Sequence, residues 1–230
     1  MKRFWKEVAV ERTGDEWEVR LDGRAIKTPA RAALVLPNEA LASAIAEEWR
    51  TVGETVDPRA MPLTGLANAA IDRVAPDPAR FADSLARYAE ADLTCYRAED
   101  PRALVEQQEQ AWDPLLGWAR RRYDVDFVTT SGLMHVVQPA ATLEHLRHAV
   151  CALNAFELAG LSPMVTAGGS LIAALAVLEG GIAPDDAWDA VSIDDRWQRE
   201  KWGADADAVA AEEGRRRDFL AGAAFLKLLG

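Results

Sequence analysis

VAVERTGDEWEVRLDGRAIKT, Val8 to Thr28, decides the fold class. Val8 to Arg12 alternates apolar and polar, Thr13-Gly14-Asp15 makes a turn, and Trp17 to Leu21 alternates again with Trp17, Val19 and Leu21 on one face. Asp22-Gly23 is a tight-hairpin signal, because both central residues of a type I′ turn need positive φ. Arg24 to Thr28 is then the return strand, Pro29 ends it, and Ala33 to Pro37 is a further short strand.

Downstream the period changes. Asn38 is a good N-cap, Glu39 suits the positive end of the helix dipole, and Leu41, Ile45, Glu48 and Trp49 follow at helical spacing until Gly53. Asp57-Pro58 and Met61-Pro62 punctuate a connector. The spacing predicts helices over Thr64–Val74, Ala79–Ala91, Pro101–Tyr123 with a kink or restart at Pro114, Thr142–Glu157, Ser170–Glu179, Pro184–Trp202 and Asp205–Leu229. Val125–Thr130 and Leu133–Gln138 read as a short extended pair around Ser131-Gly132. The expected fold is α+β: a small N-terminal domain of strands plus one helix over residues 1–60, then a larger all-helical domain over 61–230. Within the first, Trp49 is expected to lock the helix to the sheet.

At 230 residues, half of them apolar, the chain can bury a substantial core. A net charge of −11 argues against nucleic acid and against anionic membranes, since both need clustered Lys and Arg. The most apolar stretch, Ser170 to Leu178, falls well short of the roughly 20 residues of a membrane span. Two cysteines at unrelated positions make neither a disulfide framework nor a metal quartet, and a reducing, cytoplasm-like compartment fits. The N-terminus has a basic start with no apolar run behind it, so it reads as neither a signal nor a transit peptide.

Catalytic signals are weak. Cys95 lies near a predicted helix end, where the dipole does not favour a thiolate, and reads as a buried structural cysteine. His145 and His148 are three apart on a helix, yet HExxH is absent and, with His135 distant, no ligand set accompanies them. Thr166 to Leu175 lacks the lysine of a P-loop and, with Ile172 in place of a glycine, the spacing of a nucleophile elbow; Gly168-Gly169 reads as a turn and Ser170 as a helix cap.

The stretch SIDDRWQREKWG, Ser192 to Gly203, stands out. Asp194 and Asp195 are adjacent, so on a helix they point about 100° apart and are poorly placed to share a proton. Asp195 and Arg199 are spaced for a surface ion pair. Two readings stand: an amphipathic core helix with a solvated acidic side, or a docking surface in which Trp197 and Trp202 supply aromatic area and the acids a polar rim.

Several long strings carry a resemblance: FWKEVAV, LDGRAIKTPA, LPNEALASAIAEEW, DPRAMPLTGLANAAID, DLTCYRA, WDPLLGW, GGSLIAALAV and DDRWQREKWG. With these, the chain resembles, nearly end to end, the F-type ATP synthase assembly chaperones that act on the alpha subunit of the catalytic head. The resemblance implies a chaperone and not an enzyme, one that binds the free alpha subunit, shields the surface that later packs on the beta subunit, and leaves when the hexamer forms. It implies no cofactor and no metal, and a bacterial cytoplasmic location whose counterpart is the mitochondrial matrix; a monomer is expected because a holding chaperone can work without symmetry. It places the partner-binding residues at Asp194, Asp195, Trp197, Gln198 and Trp202; relatives often carry glutamate where this chain has aspartate, and a third acid at Arg196. The competing expectation is a small hydrolase or transferase using Cys95.

Overall fold

The computed structural model describes residues 2–132 and 134–230. The chain forms two compact units: Met1–Pro78 with Asn154–Gly160 and Ala224–Gly230, and Ala79–Leu153 with Leu161–Ala223.

The first unit is a small antiparallel sheet covered by helix. Strand β1 (Val8–Thr13) pairs with β2 (Glu16–Leu21) from Val8 opposite Leu21 to Thr13 opposite Glu16. Asp22 and Gly23 both take positive φ, 48° and 78°, as the type I′ turn demands. The Asp22 carboxylate also accepts the Lys6 and Glu7 amides, which holds its pKa below the usual carboxylate value. The return strand is shorter than the sequence predicts. Only β3 (Arg24–Ala25) pairs with β2, followed by one bridge between Lys27 and Ala33. Next, β4 (Val35–Leu36) returns to the Trp17 end of β2, which makes β2 the central strand. Helix α1 (Glu39–Thr51) begins as expected, with the Asn38 side chain accepting from the Leu41 amide.

Val19, Leu21, Leu34, Leu36, Leu41, Ile45 and Trp49 are buried together, and Trp17 packs partly buried against them. The Trp49 ring meets Trp5 edge-on at 5.1 Å, so Trp49 does tie α1 into the sheet's core. Helix α2 (Pro62–Ala69) starts on Glu48, whose carboxylate accepts the amides of Leu63 and Thr64 and the Thr64 hydroxyl. A π turn over Ala70–Val74 completes it.

The second unit is helical. Its elements are α3 (Pro78–Ala86), α4 (Arg102–Tyr123), α5 (Ala140–Cys151), α6 (Ala155–Gly168), α7 (Leu171–Leu178), α8 (Pro184–Val191), α9 (Ile193–Trp202) and α10 (Ala206–Lys227); α3, α6 and α10 each lend residues to the first unit. Helix α7 is buried almost all round, with Leu171 through Ala176 inaccessible. Helix α4 does not restart at Pro114 but runs through it: Trp112, Leu115 and Leu116 are buried on either side, and Pro114 itself is exposed.

Three expectations are corrected. The helix expected over Thr142–Glu157 stops at Cys151, and a new one starts because Asn154 accepts from the amides of Phe156 and Glu157 while Glu157 accepts from the Asn154 amide, a reciprocal capping box. The helix expected over Pro184–Trp202 is two, broken at Ser192, whose hydroxyl donates to the Trp188 carbonyl. Among the described residues, Val125–Thr130 does not form a ladder with 134–138. Instead β5 (Tyr96–Arg97) pairs in parallel with β6 (Thr130–Ser131), and the Gln138 amide bridges to the backbone of Val128 in both directions. Leu133 lies outside the described residues.

Candidate partner-binding groove

On α9, Asp194, Trp197, Gln198 and Lys201 follow at i, i+3, i+4 and i+7, so one side of the helix carries all four. They line an open groove of about 890 Å³, with Trp202 at the helix end and Tyr96 to Pro101 opposite. Trp202 is 78% exposed. Trp197 is half-buried, and the Lys201 ammonium sits 4.7 Å from its ring centre. Asp195 is not in the groove. One residue further round the helix, it forms a 2.5 Å ion pair with Arg215 of α10. The expected Asp195–Arg199 pair is absent, because Arg199 pairs with Glu212 instead.

The groove's floor comes from α4 and from the segment before it. Gln108 is buried, its side-chain oxygen accepts the Ala98 amide at 2.7 Å, and its NH₂ donates to Asp194 Oδ1 at 2.7 Å. Because Ala98 offers an N–H, the oxygen of Gln108 must face it, which fixes the amide with its NH₂ towards Asp194. Arg97 is also buried, donating to the Gln108 carbonyl and to Asp113 with its guanidinium 5.0 Å over Trp112. Burial raises the pKa of Asp194, with the Gln108 bond pulling it down and the neighbouring Asp195 charge pushing it up. No sequence signal marked Gln108 or Arg97. They are 86 and 97 residues from Asp194, and an isolated Gln or Arg on a helical pattern reads as surface.

The other candidates take structural roles. Cys95 is buried, and burial with the nearby Asp92 charge pushes its thiol pKa to about 12, so it is a thiol and not a nucleophile at neutral pH. A mild alkylating agent at slightly alkaline pH is expected to modify exposed Cys151 and leave Cys95 intact until denaturant is added. Rapid labelling of Cys95 in the native protein, read by peptide mass spectrometry, would restore it as a nucleophile. Ser170 caps α7 through the Ala173 amide and donates to Asp92. His145 Nδ1 lies 3.0 Å from the Tyr123 carbonyl and His135 Nδ1 lies 3.2 Å from the Tyr96 hydroxyl. Among the described residues, no three His, Cys, Asp or Glu side chains are grouped to hold a metal ion, and no helix is long and apolar enough to cross a membrane.

An open groove edged by tryptophan and carboxylate has the composition of a protein-binding surface. The chain belongs to the ATP12 chaperone family: the ATP12 chaperone protein profile matches residues 2–120. It is 27% identical over 237 residues to the mitochondrial protein atp12 of Schizosaccharomyces pombe, spanning 98% of this chain and 81% of that protein. Two solved structures of Atp12 from Paracoccus denitrificans, one of them a point mutant, match with 41% identity and a TM-score of 0.95 over 100% of this chain and 98% of theirs. The Atu1473 protein of Agrobacterium tumefaciens matches with 35% identity and a TM-score of 0.95 over 100% of this chain and 86% of that one. The family is the one the sequence resembles, that of ATP synthase assembly chaperones.

Proposed function

We propose that this chain binds the free alpha subunit of the ATP synthase catalytic head and covers the surface on which the beta subunit later packs. The groove around Asp194, Trp197, Gln198 and Trp202 is the contact. The observation that carries this reading is Trp202, a large indole left 78% exposed on the rim of an open groove. The protein acts by binding without turnover, needs no cofactor, nucleic acid or membrane, and works as a monomer in the bacterial cytoplasm, the counterpart of the mitochondrial matrix. A free subunit exposes apolar interface that would otherwise aggregate, and a transient partner prevents this without outcompeting the final one. The competing reading as a hydrolase or transferase relies on Cys95, whose thiol is buried and its pKa raised.

The double variant Asp194→Lys/Trp202→Ala should keep its circular dichroism, with a lowered urea midpoint because the Gln108 NH₂ loses its acceptor, while its affinity for isolated alpha subunit falls roughly 30-fold or more. Calorimetric titration that finds parental affinity in a folded double variant would remove the groove from the contact.

A further inference from the structure

We infer that the groove receives a basic side chain, a lysine or arginine carried on an apolar segment of the client; the inference rests on the chaperone reading above and names what the client must present. Five charged residues line the groove: Arg97, Glu99, Asp100, Asp194 and Lys201. Both cations are already engaged. Arg97 spends its donors on the Gln108 carbonyl and Asp113, and Lys201 lies over the Trp197 ring. The three acids are not. Asp194 Oδ1 accepts the single Gln108 bond, Oδ2 accepts none among the described residues, and neither Glu99 nor Asp100 forms an ion pair there. The groove therefore offers carboxylate oxygens that neither Arg97 nor Lys201 pairs with.

Two further features fit the same occupant. Asp194 is drawn partly out of water with one neutral donor in exchange, which leaves a desolvation cost that an incoming ammonium or guanidinium would offset. Glu99 lines the same groove, beside Gly132, from the segment opposite α9. The walls suit the stem of such a side chain. Leu104, Trp197 and Trp202 present apolar and aromatic surface against which the methylenes of Lys or Arg pack, and an indole face attracts the cation itself.

The test measures the affinity of the full-length protein for purified alpha subunit across a salt series, with Asp194→Asn and Glu99→Gln as charge-removing variants. The second is at an exposed position, so it reports even if the first perturbs folding. Each is expected to weaken binding roughly tenfold at low salt and to flatten the salt dependence, because screening acts on the pair that the variant removes. Carbodiimide activation of the parent complex should also couple one of these carboxylates to a client lysine wherever the partner is lysine. Parental affinity and salt slope in both folded variants, with the parent binding alpha normally, would overturn the basic-side-chain inference and leave the chaperone reading standing. Failure of the parent itself to bind alpha would overturn both.

Discussion

Asp92→Ala is expected to lower the free energy of unfolding by about 3–5 kcal/mol, the range seen when one member of a buried, fully bonded polar group is removed. Asp92 is fully buried in the second unit. Oδ1 accepts from the Thr94 amide, the Thr94 hydroxyl and the Ser170 hydroxyl, and Oδ2 accepts from the Ile172 amide. One carboxylate thus ties the turn before β5 to the N-terminus of α7, the most buried helix in the chain. Alanine would leave several donors without partners in a dry site. Asparagine would also destabilise, because its NH₂ would have to face at least one of these donors.

Burial raises the Asp92 pKa, and the bonds from Ile172, Thr94 and Ser170 pull it back only in part. A carboxyl whose folded pKa lies above its unfolded value contributes fully below the ordinary carboxyl range and loses that contribution as pH rises through the folded pKa. The stability gap between the parent and Asp92→Asn should therefore be widest in acid and narrow as pH rises. Urea denaturation at several pH values reads this directly, and a gap that widens with pH would contradict it.

Trp112→Ala is the second large effect, about 3–5 kcal/mol. The indole is fully buried on α4, donates to the Ala190 carbonyl of α8 at 2.7 Å and lies beneath the Arg97 guanidinium. Truncation opens a cavity between α4 and α8, strands a helix-end carbonyl and removes the face against which Arg97 packs. Trp112→Phe keeps most of the volume and loses the N–H, so about 1–2 kcal/mol is expected. If the alanine variant unfolds within 1 kcal/mol of the parent, the packing of α4 on α8 is not what holds the floor of the groove.

What the sequence made legible followed from strong local chemistry. Asp22-Gly23 demanded positive φ twice and found it; Asn38 and Ser170 capped the helices they were expected to start. The capping box Asn154…Glu157 was equally local but sat inside a continuous helical pattern, which hid the break. Residues 154–157 and 224–229 read as plain helix and 158–160 carried no assigned element, and nothing in their spacing assigns them to the unit built around the first sheet. In the groove, helical spacing grouped Gln198 and Trp202 with Asp195 and set Trp197 beside Ile193, whereas Asp194, Trp197, Gln198 and Trp202 line the groove together and Asp195 does not. It could not turn Asp195 towards Arg215, nor bring Gln108 to Asp194, because those partners come from elements far along the chain.

The central claim is tested most directly by mixing the purified protein with isolated alpha subunit, and separately with beta subunit, and measuring each mixture by size-exclusion chromatography with light scattering. A one-to-one complex with alpha and none with beta is the predicted result. No complex with alpha, or an equal one with beta, would contradict it.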